Sequence, residues 1–481
     1  MLAEELIALT QKVMFERCEL QHLELKKAAG GTPKKLYDTL SSFSNQQNGG
    51  IILFGIDQDH DYELVGVYDP QDVQVKVTEQ ANQMEPVVRP FFTVAELDGK
   101  MIVSAEISEC DIFDKPCFYR GAGRLRGSYI RVGDADIPMT EYEVYNCEAF
   151  KRKIRDELRE APEGLSSKLS DDAVKLYLAK ARIEKINFAK LTDDETLTLS
   201  GLYKDGKLTL AGLLLFGLYP QAAFSGFCIT AVTVPGYRMG ALADDGARFS
   251  DNKRMEGAIP EILEAAMEFV RRNVKSRTIL DNNGKRADKT EYPLKAVREV
   301  ILNALVHRDY SIHTETAPIR IVFFTDRLEV ENPGGLFGRT TLDSLGKTAG
   351  DIRNPAIAAA LEIIIESENR NSGIPTVRRE MEEAGLPEPV FASVRGTFKV
   401  TLYNADGAKQ PIAKEPFDDE AAALIRYCRT PRTRGELAKF LQMTSISYMM
   451  KKFVTPLVDL GRLKLTVPDH PRSRNQKFYS E

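Results

Sequence analysis

Apolar and polar positions change rhythm several times along the chain. Residues 1–30 carry apolar side chains at helical spacing until GGTPKK breaks the pattern, and KLYDTLSSFSNQ predicts a second helix. NQQNGG then runs straight into IILFGID, an unbroken apolar run of the kind that forms a buried strand. ELVGV, FFTVAEL, KMIVSAEI and SYIRVGD predict further strands, so 1–145 reads as one α/β domain. EAFKRKIRDELREAPEG is a charged helix suited to joining it to the next unit.

Residues 146–280 mix helical patterns with the hairpin-like KDGKLTLAGLLLFG and read as a connecting region with a long amphipathic helix over 255–275. Within 281–405 the order is helix (PLKAVREVILNALVHRD), strand (APIRIVFF), turn (TDR), strand (LEVENP), a glycine-rich segment, helices and closing strands. NADGAKQPIAKEP has linker composition, and 417–481 reads as helices followed by a basic hairpin. The expected fold class is α/β and α+β, multidomain.

Length and composition fit this. The 481 residues allow about three domains, and 43% hydrophobic with 28% charged residues suits a globular chain. No apolar run reaches the roughly 18 residues of a membrane span. MLAEELIALTQKV reads as an amphipathic helix, not a signal peptide. Six scattered cysteines without a CxxC argue for reduced thiols and a cytoplasmic location. The net charge of −5 hides an asymmetry: 420–481 holds 12 Lys/Arg against 5 Asp/Glu, a basic tail of +7 on a body of −12. Such a tail suits an anionic partner.

REVILNALVHRDYS, residues 298–311, carries the main chemical signal. Its HRD resembles a kinase catalytic loop, but that loop needs an Asn five residues after the Asp, where this chain has Thr314. On a helix, Glu299, Asn303 and His307 form one polar stripe among Val297, Val300, Ile301, Leu302, Ala304, Leu305 and Val306. Such a stripe must find partners, since unpaired buried polar groups are costly; structural hydrogen bonds are the plain alternative to a site. Downstream, TDRLEVENPGGL sets Asn332, Gly334 and Gly335 at a strand end, and NSGIPTV sets Ser372 and Gly373 at a helix start. An Asn oxygen suits the hard ion Mg²⁺, a Glu one turn earlier can polarise an attacking water, and glycines let backbone N–H groups approach phosphates. LGKTAG (345–350) contains Gly-Lys-Thr but puts Thr341 where a P-loop has its first Gly.

This layout resembles the GHKL-type ATPases. NALVHRDYS, DRLEVENPGG, RNPAIA, NSGIP and AGLPEPVF, with ELQHLELKK, SSFSNQQNGGIILFGID, SYIRVGD, LTLAGLLLFG and EYP, are similar to a bacterial and archaeal family labelled RecG-like or predicted transcriptional regulators. Its members join a Schlafen/AlbA-type α/β domain to a divergent GHKL-like α/β sandwich. The resemblance implies ATP and Mg²⁺ as ligands, Glu299 as catalytic acid, Asn303 as the magnesium residue, and Asn332, Gly334, Gly335, Ser372 and Gly373 as glycine-box residues. His307 and Asp309 follow as site or lid contacts. Two positions depart from the family pattern: Asn332 or Glu331 stands where an Asp is usual, and Asn371 where a Gly is usual.

In the first domain, Glu19, Glu24 and Asp57 match the spacing and order of metal-binding acids in Schlafen-type nucleases. Three carboxylates can hold Mg²⁺ or Mn²⁺ for phosphodiester hydrolysis, with Lys26 stabilising developing charge. The alternatives are surface helix charges with a turn at Asp57, or a plain nucleic-acid-binding module in which Arg131 reaches phosphate and Asn45, Gly49 and Gly50 serve the turn.

TRGELAKFLQMTSISYMMKKF reads as helix–turn–helix, with helices at 434–441 and 445–454. Ser445, Lys451 and Lys452 on the second helix, and Arg462, Lys464, Arg472, Arg474 and Lys477 on a hairpin wing, suit DNA contacts. The alternative use of this winged helix-turn-helix is protein contact. The reading is an ATP-binding, DNA-binding regulator, expected as a homo-oligomer, with RNA as a second nucleic-acid partner. The alternative is an ATP-gated, metal-dependent nuclease, a defence role included.

Overall fold

The computed structural model describes residues 1–243, 245–280, 286–348, 350–365, 373–394, 396–407, 424, 427–441, 449–459, 462–466 and 476–480. Met1–Tyr403 form one unit and Asn404–Glu481 a second.

The first module of the larger unit is built on the IILF strand. Gly50–Phe54 pairs in parallel with Leu23–Lys26 and antiparallel with Lys100–Ile107, which pairs with Phe91–Leu97. Parallel neighbours need a crossover, supplied here by the helix Tyr37–Asn45. The strand reads as uniformly apolar because both faces are covered. Ile52 and Phe54 join the core containing Leu40, Phe43 and Val77, while Leu53 joins Leu6, Val13 and Leu25 on the other side. Gly50 is required by close packing: a Cβ there would lie 2.6 Å from the Phe43 ring. Asn45 ties the helix end down, donating to the Cys117 and Tyr129 carbonyls at 2.9 and 3.0 Å and accepting from the Cys117 N–H at 2.7 Å.

The second module is a mixed six-stranded sheet in the order Asp251–Met255, Ile229–Thr233, Ile319–Phe323, Arg327–Pro333, Thr397–Tyr403, Val390–Val394. Only the Ile229–Thr233 and Ile319–Phe323 pairing is parallel. Its first two strands come from 146–280, the stretch expected as a connecting region. Helices Ile259–Asn273, Leu294–His307, Pro355–Ile365 and Gly373–Glu383 share one core with the sheet. Leu294–His307 is held by Ala296, Val297, Val300, Ile301, Leu302 and Leu305, all buried. Each large aliphatic contributes about 1.5–3 kcal/mol, and Ile301→Ala would cost roughly 2–5 kcal/mol.

In the second unit, helix Arg434–Phe440 follows strand Arg432–Thr433. A π-helical turn, Met450–Val454, continues into helix Thr455–Asp459, past the expected end at 454. Lys477–Tyr479 pairs antiparallel with both Arg432–Thr433 and Lys464–Leu465. Leu437, Phe453, Leu457, Leu463 and Phe478 form its core. Among the described residues, no helix is long and apolar enough to cross a membrane.

Candidate nucleotide site

The polar stripe of Leu294–His307 faces a cavity of about 510 Å³ lined by Glu299, Asn303 and His307. The strand end and its turn (Asn332, Gly334, Gly335) and the start of the Gly373–Glu383 helix complete much of the wall. Asn303 Nδ2 donates to Glu299 Oε1 at 3.0 Å. A carboxylate only accepts, so the amide must turn its NH₂ toward it, which leaves Asn303 Oδ1 as the oxygen for a hard cation. Gly373 crowds the pair: a Cβ there would lie 2.5 Å from Glu299 Oε1 and 2.8 Å from Asn303 Nδ2. His307 is open to the cavity yet ringed by protein. That desolvation, with the Arg353 charge, pushes its pKa down to about 4, so it is neutral at pH 7.

Two features of the cavity wall bear on what it can hold. Asn332 is buried, and its Oδ1 has no hydrogen-bond partner within the protein. A buried acceptor left unpaired costs about 1–3 kcal/mol unless a ligand donor meets it, and the amino group of a base is such a donor. The turn after Asn332 is tightly built: Gly334 has φ +108°, and a Cβ there would stand 2.9 Å from the Asp309 backbone N. Gly334 N–H donates to the Gly396 carbonyl at 2.7 Å.

His307-Arg308-Asp309 does something other than its kinase-like spelling suggests. Arg308 is fully buried, donating to the Thr314 and Ala317 carbonyls at 2.9 and 2.6 Å, with its guanidinium over the Phe227 ring. Asp309 is buried as well, expected as a site or lid contact but standing behind the glycine turn. Its Oδ2 accepts from Tyr142 Oη at 2.6 Å and Arg353 Nη1 at 3.1 Å, and its Oδ1 from Ser311 N–H at 2.8 Å.

In the first module, Glu19 and Glu24 come together around a cation. Arg131 Nη1 reaches Glu24 Oε2 at 2.7 Å and Asp136 Oδ1 at 3.0 Å, and Nη2 donates to the Leu23 carbonyl at 3.1 Å. Arg131 is therefore committed internally and does not reach out toward phosphate, the role the sequence left open to it. Lys26 pairs with the other Glu24 oxygen. Glu19 accepts from Leu25 N–H at 2.7 Å; burial first, then the Glu24 charge, raises its pKa to about 7. Asp57 is held apart by Lys27 at 2.5 Å and His60 at 2.9 Å, and the Lys27 hydrogen bond is the main cause that lowers its pKa. Among the described residues, no three His, Cys, Asp or Glu side chains form a group able to hold a metal. The expected trio is thus two acids around Arg131 and a third paired elsewhere.

Residues 19–140 match the family described as "Schlafen, AlbA_2", and residues 316–402 match "Putative ATP-dependent DNA helicase recG C-terminal", a HATPase family. The chain joins a Schlafen/AlbA domain to a RecG-related HATPase domain. The DIP2311 protein of Corynebacterium diphtheriae is similar in structure at 18% identity and a TM-score of 0.40, over 96% of this chain and 93% of that one. The N-terminal domain of a putative ATP-dependent DNA helicase RecG-related protein from Nitrosomonas europaea is 27% identical, over 27% of this chain and 90% of that one, with a TM-score of 0.23. No curated protein matches the chain.

The HATPase match begins after the helix that carries Glu299, Asn303 and His307, so these three rest on geometry alone. Ser372 lies outside the described residues, as do Ser445, Arg472 and Arg474 and the side chains of Lys451 and Lys452. Arg462, Lys464 and Lys477 are exposed in the second unit. Sequence reasoning passed over Thr340, Leu345, Gly346 and Thr348, which line the HATPase cavity. The LGKTAG segment is no P-loop, yet its glycine and Thr content marked a loop able to wall a site. Tyr142 and Arg353 were missed too; nothing local marks a Tyr that bonds an Asp 167 residues away.

Proposed function

We propose that this chain is an ATP-binding, nucleic-acid-binding regulator. Its HATPase cavity takes Mg-ATP, and its C-terminal unit grips DNA as a winged helix. The partner-free, buried Oδ1 of Asn332, a residue of the cavity wall, carries this reading, because a ligand donor reaching it would satisfy it. Asn303 Oδ1 would hold the magnesium ion, and the Gly334–Gly335 turn the nucleotide. Bound with the nucleotide, Mg²⁺ supplies neutralisation of the phosphate charge. Glu299 would accept a proton from an attacking water. Helices flanked by the strands of a three-stranded antiparallel sheet, Arg432–Thr433 before them and Lys464–Leu465 and Lys477–Tyr479 after, with exposed Arg462, Lys464 and Lys477, support the DNA-binding reading of the C-terminal unit. The six free cysteines suit the cytoplasm, and a two-fold homo-oligomer suits a symmetric DNA site.

In the Schlafen/AlbA domain, cations already engage Glu24 and Asp57, which favours binding over cleavage. The direct test is calorimetric titration of the full chain with Mg-ATP. Saturable binding that weakens at least tenfold in Asn303→Ala supports the assignment; equal affinity in the two proteins would remove it.

A further inference from the structure

The helix Glu141–Lys151 starts where the Schlafen/AlbA match ends and belongs to both domains by contact. On its HATPase side, Tyr142 bonds Asp309, and its ring fills the space a Cβ on Gly396 would occupy. Asn146 Oδ1 accepts from Arg353 Nη1 at 3.0 Å, while Arg353 Nη2 donates to the Gly335 carbonyl at 3.1 Å. Phe150 packs edge-on against Phe337, centroids 5.4 Å apart, and a Cβ on Gly338 would stand 2.6 Å from its ring. On its other side, Phe150 stacks on Phe113 at 5.2 Å, and Glu148 pairs with Arg124 at 2.8 Å. Phe113 and Arg124 belong to the Schlafen/AlbA domain, and Gly335 and Phe337 to the cavity wall.

We propose that Tyr142 and Arg353 are positioning residues of the nucleotide site, and that through them the Schlafen/AlbA domain senses whether the cavity is filled. The inference rests on the nucleotide reading above. Gly334 and Gly335 can hold a nucleotide only where their backbone is held, and it is held from behind. Asp309 blocks Gly334, and Arg353 grips the Gly335 carbonyl. Both depend on Tyr142 and Asn146, since a buried carboxylate and guanidinium tolerate little loss of partners. A shift of the glycine turn on ligand entry therefore cannot stop at the turn. It moves Asp309 and Arg353, then the helix, then Phe113 and Arg124. Packed elements of this kind shift as units and do not deform gradually.

Hydrogen–deuterium exchange of the full chain, with and without saturating Mg-ADP, tests this. In the native protein, Mg-ADP should slow exchange both around the cavity and in 113–127 and 141–151. Tyr142→Phe should bind Mg-ADP at least about tenfold more weakly, the lower end of what one hydrogen bond to a charged group is worth. At saturation it should keep protection around the cavity and lose it in 113–127. Asn146→Ala, which leaves Tyr142 and Asp309 in place, should also reduce the distant protection. A merely structural role would change melting temperature without separating near from distant protection. Mg-ADP protection in the native protein confined to the cavity, or unchanged distant protection in both variants, would overturn the proposal. Absence of any Mg-ADP binding to the native protein would instead overturn the nucleotide reading on which it stands.

Discussion

Asn303 donates to Glu299 across one helical turn at 3.0 Å, on the face of the Leu294–His307 helix that lines the cavity. On the proposed reading, the pair divides two tasks between two residues. Asn303→Ala removes the oxygen assigned to the cation and should weaken Mg-ATP binding at least tenfold, while binding without Mg²⁺ changes little. Glu299→Gln keeps a side chain that can still partner Asn303, so binding should persist while any phosphate release falls by 10²–10⁴-fold, roughly the contribution of a general base. Calorimetry and a phosphate-release assay read both. Metal-dependent binding unaffected by Asn303→Ala would move the ion elsewhere.

Gly373→Ala should disable the same pair without disturbing the fold. Its Cβ would press on the ends of two side chains, Glu299 Oε1 at 2.5 Å and Asn303 Nδ2 at 2.8 Å, and on no backbone atom among the nearest three. The pair would turn aside, and the helix would remain. The expected outcome is a melting temperature within a few degrees of the native protein together with nucleotide affinity lowered about tenfold. A large loss of stability would show that Gly373 serves the fold.

Asn332→Ala offers the converse contrast. Because the Asn332 oxygen has no partner in the protein, removing it takes no hydrogen bond from the ligand-free fold. The bond lost is one to a ligand, about 1–3 kcal/mol, or roughly 5–150-fold in affinity. Thermal unfolding should therefore show a near-native midpoint without nucleotide and a much smaller upward shift with ATP. A midpoint lowered equally with and without ATP would count against a ligand-facing role.

How much of this could be read in the sequence depends on range. Glu299, Asn303 and His307 stood out because an otherwise apolar helix makes a polar stripe conspicuous. The glycine turns stood out because one closes a strand and the other opens a helix. These are local signals. The two strands that 146–280 gives to the HATPase sheet were not legible, since Ile229–Thr233 finds its parallel partner some ninety residues downstream at Ile319–Phe323. The spacing of Glu19, Glu24 and Asp57 suggested a metal trio. It held no hint that Arg131, more than a hundred residues from Glu24, sits between those acids, or that Lys27 and His60 claim Asp57. Charge spacing shows which acids exist; the fold decides which cations face them.

That cluster predicts a pH signature. The pKa of Glu19 is raised to about 7 from an ordinary 4.5, so the folded protein prefers it protonated. Its contribution is full below about pH 4.5 and is lost as pH rises through 7. Glu19→Gln, which keeps an acceptor for the Leu25 N–H, should match the native melting temperature at pH 5 and exceed it at pH 8. Glu24→Ala should lower stability by about 3 kcal/mol, because it strips a partner from buried Arg131. If Glu24→Ala is as stable as the native protein yet abolishes a Mn²⁺-dependent cleavage of labelled RNA, tRNA or DNA, the nuclease reading replaces the binding one.

The C-terminal unit predicts a salt dependence. Arg462, Lys464 and Lys477 are exposed, and Lys464–Leu465 and Lys477–Tyr479 are neighbouring antiparallel strands, so Lys464 and Lys477 share one small sheet. If each neutralises one DNA phosphate, each contributes about 0.9 to the slope of log affinity against log salt. Replacing all three with Gln should weaken DNA binding at low salt and flatten that slope by between two and three, about equally for every sequence tried, since phosphate contacts carry no base information. Fluorescence anisotropy with duplex DNA from 50 to 200 mM salt would measure it. An unchanged slope would take these side chains off the DNA and turn the unit toward protein contact.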